Sequence, residues 1–321
     1  MPPRWSWDFE DGPKPRAEPA DLAPEPPEAP PDEVHPSSLP QQIRRRRAVA
    51  VAIAVLVLVL VVAVASSSHG KHPRPALSAR PHVATPHEPS DPEKEEYAAV
   101  KSVLAYTPFV REGAAHGRDI ALTFDDGPGP YTPQVLSVLE RMHVRATFFA
   151  IGKMLRYFSV STVREIEDGD VIGDHTESHP MLAHLSAHDQ YEELFEQIAR
   201  IELLGGHRPV LFRPPYGSFN ATTMHELKRL HLLMVLWSVD TDDYLQPGVS
   251  TIVERALEGA HPGAIILMHD AGGVRTQTIE ALPQIITGLR KRGYRLVTVP
   301  RLLMDDPPPA GQPLPPNLSG D

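Results

Sequence analysis

From Asp119 onward the chain alternates short apolar runs with amphipathic stretches. The runs are Ile120–Phe124, Ala146–Ile151, Val171–Gly173, Val210–Phe212, Leu232–Val239, Ala264–Met268 and Arg295–Val299. Runs this short, bounded by polar and turn residues, read as strands. Between them lie helical patterns, among them Pro133–Met142, Asp189–Leu204 and Thr276–Arg292. Ser186 with Asp189 forms a helix-start signal, an Asp variant of the capping box, and Gly205-Gly206 stops that helix. Seven strands alternating with helices predict an α/β domain with a mostly parallel sheet, open or closed into a barrel. No internal repeat is visible.

An earlier apolar run is of another kind. Arg44-Arg45-Arg46-Arg47 meets an unbroken stretch from Ala48 to Ala65. Its length, at 1.5 Å per residue, gives about 27 Å, enough for a bilayer core. A stretch of Ala, Val, Leu and Ile without one polar atom does not suit a buried soluble helix. Ala63-Val64-Ala65 resembles a signal cleavage site, but the segment before the run is too long for a leader, and the run exceeds the roughly 7–15 residues of a leader's apolar region. The arginine cluster favours the amino side in the cytoplasm. Lys71, Arg74 and Arg80 weaken that bias without cancelling it. The expectation is a single-pass signal anchor in the cell membrane, with membrane lipid as one partner and everything after Ser66 extracellular.

Composition sharpens the boundaries. Of 36 prolines, twelve precede Ile43, six lie between Ser66 and Lys94, and six follow Met304. Residues 1–43 carry nine Asp/Glu against three Lys/Arg and few aliphatic side chains, a disordered composition. The division is an acidic Pro-rich cytoplasmic tail (1–47), a transmembrane anchor (48–65), a Pro-rich extracellular linker (66–97), one domain (98–304) and a Pro-rich disordered tail (305–321). A net charge of −10 and a pI near 5.9 argue against nucleic-acid binding. The absence of cysteine excludes disulfides, thiolate metal sites and cysteine nucleophiles. No protein partner follows from the sequence.

Polar clusters fall at the carboxyl ends of the strands, the edge where parallel α/β folds build sites. Thr123-Phe124-Asp125-Asp126-Gly127-Pro128 places two carboxylates side by side, able to divide metal binding from base work. His175-Thr176-Glu177-Ser178-His179 sets two histidines four apart, on one face if the segment is a helical turn. Asp126 would complete a His-His-Asp set with open positions for water and substrate. Arg213-Pro214-Pro215-Tyr216 fixes a backbone that can hold an N–H toward an oxyanion. Asp240 to Tyr244 form an acidic loop, and Leu267-Met268-His269-Asp270 ends an apolar strand on a histidine that the adjacent carboxylate could keep protonated.

These five clusters, in this order, resemble the polysaccharide deacetylases of carbohydrate esterase family 4, the NodB-homology domain. The likeness runs from about Arg118 to Leu303 and includes TFDDG, H-T-x-x-H, R-x-P-Y, D-x-x-D and L-x-H. It implies a distorted (β/α) barrel of about seven parallel strands. It implies Asp125 as general base, Asp126, His175 and His179 as metal ligands, and Thr176 as a brace for the histidine loop. Arg213 would pair with Asp125, the Tyr216 N–H would serve the oxyanion hole, Asp243 would orient His269, and His269 would be the general acid. Leu267 would line a pocket for the acetyl methyl. Tyr244 stands where the family usually has Trp and would wall the substrate groove. The implied cofactor is one divalent metal, Zn²⁺ first, with Co²⁺, Ni²⁺ and Mn²⁺ as alternatives. The implied reaction is hydrolysis of N-acetyl groups on a surface glycan, with peptidoglycan N-acetylglucosamine first, chitin oligomers second and O-acetyl-xylan third. Deacetylation of small acetylated amines and a non-catalytic glycan-binding scaffold are the rival readings.

Overall fold

A computed structural model describes residues 92–204 and 206–314. In chain order its elements are α1 (Pro92–Leu104), β1 (Phe109–Val110), β2 (Asp119–Asp125), α2 (Thr132–Arg141), β3 (Thr147–Ala150), α3 (Gly152–Tyr157) and α4 (Ser159–Glu167). They continue as β4 (Val171–Asp174), α5 (Ala187–Leu203), β5 (Leu211–Phe212), α6 (Ala221–Leu230), β6 (Leu233–Val235) and β7 (Val239–Asp240). The last are α7 (Val249–Glu258), β8 (Ile265–His269), α8 (Thr276–Lys291), β9 (Arg295–Val297) and α9 (Val299–Asp305). The strands lie in the order β1-β6-β5-β4-β3-β2-β8-β7, with β9 paired to the first half of β2. Every ladder is parallel. The result is a curled parallel sheet with helices packed against it, and no ladder joins β1 to β7 among the described residues.

Alternation along the central strands sorts side chains to two faces. Ile120, Leu122 and Phe124 of β2, with Ile266 and Met268 of β8, pack against Leu136 and Leu139 of α2 and Ile285 and Ile286 of α8. Phe124 stacks on Phe148 at 5.2 Å between ring centroids. Each such fully buried side chain contributes about 1.5–3 kcal/mol. The intervening residues, Ala121, Thr123 and Asp125 on β2 and Ile265, Leu267 and His269 on β8, face the other way. Strand parity therefore puts Asp125 and His269 on one face before any site chemistry is considered.

Local signals act as the sequence suggests. The Ser186 hydroxyl accepts from Asp189 N at 3.2 Å and donates to its carboxylate at 2.8 Å, so α5 starts two residues before Asp189. Asn220 and Thr223 form a reciprocal capping box on α6.

Three expectations are corrected. The run Leu232–Val239 is not one strand. It is β6, paired with β5 and β1, followed by β7, paired with β8 across the sheet. Leu236 N bonds Val110 O while Ser238 N bonds Ile265 O, so the chain changes partners within that apolar run. Counting β1, the described sheet has nine strands rather than seven. The domain edges also lie further out than 98 and 304. Helix α1 begins at Pro92 and buries Glu96, Val100 and Val103. At the other end Tyr106 donates to Pro308 O at 2.7 Å, and Gln312 bonds both Arg111 N and Glu112 O.

The expected anchor at 48–65, the cytoplasmic tail, residues 66–91 and residues 315–321 lie outside the described residues. Among those described, no helix is long and apolar enough to cross a membrane.

Candidate active site

The carboxyl ends of β2, β4, β5 and β8 bring most of the expected residues together. Asp125 and His269 are register partners on adjacent parallel strands. The chain then turns sharply. Asp126 has φ 73, and the Gly127-Pro128 peptide is cis. That turn breaks the strand's alternation and swings Asp126 toward the loop after β4.

His175 to His179 is a loop, not a helical turn. Thr176 and His179 both adopt left-handed backbone, with φ of 69 and 64. Such values are uncommon for non-glycine residues and unfavourable for a β-branched one. The loop is held by its own bonds. Thr176 N donates to Asp174 Oδ1 at 2.7 Å, and His179 N donates to Thr176 Oγ1 at 2.9 Å. Thr176 is thus the brace that was expected. Two histidines four apart converge here through a strained loop rather than through helical periodicity.

Asp126 Oδ1 lies 3.0 Å from His179 Nε2 and 3.6 Å from His175 Nε2. One donor atom from each residue falls within 4.8 Å of the others. His175 Nδ1 sits 2.7 Å from the Arg213 carbonyl. A carbonyl can only accept, so Nδ1 carries the proton and the Nε2 lone pair points into the triad. Burial disfavours the Asp126 carboxylate, but His179 and His175 outweigh it and hold the carboxyl well below its ordinary range. Two imidazoles and an ionised carboxylate, with a fixed tautomer behind one of them, fit a divalent first-row ion.

Asp125 is held from behind. Arg213, fully buried, donates through Nη1 to Asp125 Oδ1 at 2.7 Å and to Thr123 Oγ1 at 2.8 Å. Its Nε and Nη2 donate to the carbonyls of Val235 and Leu236 at 3.0 and 3.1 Å. The guanidinium lies 4.2 Å from the Phe149 ring centroid. The other oxygen, Asp125 Oδ2, faces His175 Nε2 at 3.8 Å.

His269 is held in the same manner by an acid. Asp243 Oδ1 lies 2.7 Å from His269 Nδ1, and Asp243 Oδ2 accepts from His269 N at 2.9 Å and from Thr278 Oγ1 at 2.6 Å. Burial lowers the imidazole pKa, but Asp243 above all, with Asp126 and Asp125 behind it, raises it to about 9. Asp243 is correspondingly held below its ordinary range despite its burial.

The remaining expected residues lie around this group. Tyr216 sits at φ 57, is partly exposed and packs edge-on against His179 at 4.6 Å. Tyr244 packs edge-on against His269 at 5.4 Å. Leu267 is buried beneath the rim beside Trp237, Met234 and Leu236.

Thr278, Thr132 and Gly272 were not anticipated, and the carboxylate that braces His269 is Asp243 rather than the adjacent Asp270. Buried Asp270 accepts from Thr132 Oγ1 through Oδ2. A Cβ on Gly127 would come within 2.3 Å of the Asp270 carboxylate, and one on Gly272 within 2.1 Å of Asp126 Oδ2. The two turns interlock, glycine against acid, in both directions. The glycines flanking the acidic clusters were the available signal for that close approach. Thr278 has none, because a threonine early in a helix is ordinary.

Fold and site define a class: a parallel α/β protein with a candidate divalent-metal centre, a braced carboxylate and a braced imidazole on one sheet rim. Comparison with known proteins gives the family. Residues 112–235 match the profile of the polysaccharide deacetylase family. A peptidoglycan-N-acetylglucosamine deacetylase of Bacillus cereus is 40% identical over 195 residues, covering 57% of this chain and 87% of that protein. The peptidoglycan-N-acetylmuramic acid deacetylase PdaC of Bacillus subtilis is 38% identical over 184 residues, but these span 57% of this chain and only 38% of that longer protein. The crystal structure of the Bc1960 peptidoglycan N-acetylglucosamine deacetylase, in complex with 4-naphthalen-1-yl-N-oxidanyl-benzamide, superposes with a TM-score of 0.60 at 34% identity, covering 62% of this chain and 94% of that one. This chain belongs to the polysaccharide deacetylase family.

Proposed function

We propose that the protein hydrolyses N-acetyl groups on a cell-surface glycan, with N-acetylglucosamine of peptidoglycan as the preferred substrate. The observation that carries this reading is the in-register pair of Asp125 and His269, each braced by a buried partner of opposite charge and both beside the His-His-Asp triad. One group is set to take a proton and the other to give one, as amide hydrolysis requires.

Asp126, His175 and His179 would hold the ion, with Zn²⁺ first and Co²⁺, Ni²⁺ or Mn²⁺ as alternatives. When bound, such an ion polarises a carbonyl and lowers the pKa of water. Asp125 takes the proton of the attacking water on Oδ2, because Oδ1 is engaged by Arg213. Arg213 keeps this carboxylate in place before the attack. His269 gives its Nε2 proton to the leaving amine, since Nδ1 faces Asp243. That step is needed because an amide anion is a poor leaving group. Tyr216 offers its backbone N–H to the developing oxyanion, and its ring with that of Tyr244 walls the groove. Leu267 lies beneath the acetyl methyl.

The reading extends to topology. Residues 48–65 anchor the chain, the arginine cluster stays in the cytoplasm, and the domain stands outside on the Pro-rich linker. The similarity to enzymes named for both peptidoglycan sugars leaves N-acetylmuramic acid as the competing substrate. The test is acetate release by the full chain from peptidoglycan, with and without chelator. Chitin oligomers and acetyl-xylan serve as comparison substrates. Chelator-sensitive acetate with new free amine on glucosamine is expected. Glycan binding without acetate release would refute the enzymatic reading.

A further inference from the structure

On the rim opposite the candidate active site the domain carries a large concavity. It opens where Pro108 leads into β1, Val210 into β5 and Leu232 into β6, at the amino ends of three neighbouring strands. In a parallel sheet this is the rim away from Asp125 and His269. Helices α1 and α6 form its walls, and its volume is about 1390 Å³. Leu104, Met224, Leu227 and the Tyr97 and Tyr106 rings make much of its lining apolar or aromatic.

Its charge is opposite to that of the chain. Lys94, Lys101, Arg208 and Lys228 stand on it, in a protein of net charge −10. Lys101, Arg208 and Lys228 are exposed and make no ion pair among the described residues. The single carboxylate on the lining, Glu93, lies 3.1 Å from His207 and so is already engaged. Tyrosine rings beside Lys101, Arg208 and Lys228 suit an anionic interface with a shallow apolar layer behind it.

We infer that this groove docks the domain on the surface of an anionic phospholipid bilayer. Headgroup phosphates would meet Lys101, Arg208 and Lys228, with Tyr97 and Tyr106 at headgroup depth. The inference rests on the membrane-anchor reading and adds an orientation to it. The chain enters the described domain at Pro92, on the helix whose Glu93, Lys94 and Tyr97 line the groove. Residues 66–91 separate it from the proposed anchor and reach at most about 90 Å when fully extended. This segment is a poor occupant for the groove itself, because Lys71, Arg74 and Arg80 outnumber Glu88 and Asp91. Like charges would meet. Docked this way, the catalytic rim faces away from the bilayer, toward glycan.

The chain contains no cysteine, so a single introduced thiol reports one position. His225→Cys places a fluorophore on the groove, and Val274→Cys places one on the loop after β8. The full-length variants are assembled into nanodiscs of phosphatidylglycerol or phosphatidylcholine containing brominated lipid. Quenching at position 225 should be about threefold or more in phosphatidylglycerol, weak in phosphatidylcholine, and lost at about 0.5 M salt. Position 274 should stay unquenched throughout. Adding Lys101→Gln, Arg208→Gln and Lys228→Gln should abolish quenching at 225 while the chain still elutes with the discs. Elution with the discs but without quenching, or equal quenching in both lipids, overturns the docking inference alone. So does shielding of position 225 from an aqueous quencher whatever the lipid, which would assign the groove to another part of the chain. Failure to elute with the discs overturns the anchor and this inference together.

Discussion

Replacing Asp243 with asparagine isolates what a buried carboxylate does for His269. Asparagine keeps the volume and one acceptor oxygen, so the bond from His269 N can survive. The rearranged contact with Thr278 should cost about 1–2 kcal/mol of stability. What disappears is the charge 2.7 Å from Nδ1. Asp243 is the strongest of the influences that raise His269 from its ordinary 6.5 to about 9 against the effect of burial. That gap corresponds to about 3 kcal/mol in favour of the imidazolium. With a pKa of about 9, about 99% of the imidazole is protonated at pH 7, whereas at about 6 only about 10% is.

The proton available to the leaving amine therefore falls about tenfold at pH 7 from population alone. The alkaline limb of kcat/KM should move down by about two pH units or more. The assay is free-amine formation on an N-acetylglucosamine oligomer from pH 5 to 10 at constant metal occupancy. Activity should recover toward the parent's on the acid side. An unmoved alkaline limb, or an equal loss at every pH, would refute the role given to this pair. Stability carries the same signature. Because the folded-state pKa is raised, the stabilisation is complete below about 6.5 and is lost as pH climbs through about 9. The asparagine variant should lack that part of the slope.

Three other substitutions probe the scaffold of the site. Arg213→Lys removes a fork that reaches Asp125, Thr123, Val235 O and Leu236 O at once, which one ammonium cannot replace. The expected loss is about 3–5 kcal/mol in denaturant unfolding, and an unchanged midpoint would contradict it. Gly272→Ala sets a Cβ 2.1 Å from Asp126 Oδ2 at φ 71, so Asp126 must shift. Metal affinity by calorimetry should drop about 10–100-fold while the fold persists, and parental affinity would show that the loop yields instead. Glu165 is fully buried with neither oxygen bonded among the described residues, and burial raises its pKa well above 4.5. The native state thus holds that proton more tightly, and stability falls as pH rises past 4.5. Glu165→Gln should flatten that fall, giving a larger advantage over the parent at pH 8 than at pH 5. Parallel pH profiles for the two proteins would rule this out.

Most of the site is legible in sequence because each cluster directly follows an apolar run, so strand ends and chemistry are contiguous. What is not legible has physical reasons. Leu232–Val239 reads as one strand because hydrophobicity does not record the change of partner between Leu236 and Ser238. The spacing of His175 and His179 reads as helical because residue type gives no warning that Thr176 and His179 take left-handed backbone. The outer boundaries escape because a few long-range bonds fix them. Pro308 and Gln312 look like tail residues until Tyr106 and Arg111 reach them. Thr278 acts through a contact 35 residues distant in sequence, which no local pattern contains.

One pattern nonetheless determines both core and chemistry. On β2 the residues that pack against α2 and α8 alternate with Ala121, Thr123 and Asp125, and on β8 Ile266 and Met268 alternate with Ile265, Leu267 and His269. The ladder then pairs Asp125 with His269. A slip of one residue would drive Phe124 off the helices and carry Asp125 into them, so the hydrophobic core enforces the register that aligns Asp125 with His269. Asp126 follows the same strand and by alternation would point at the helices. The turn at φ 73 takes it out of the pleat and aims its carboxylate at His175 and His179. Two adjacent aspartates can serve different tasks because one obeys the strand's period and the next is released from it.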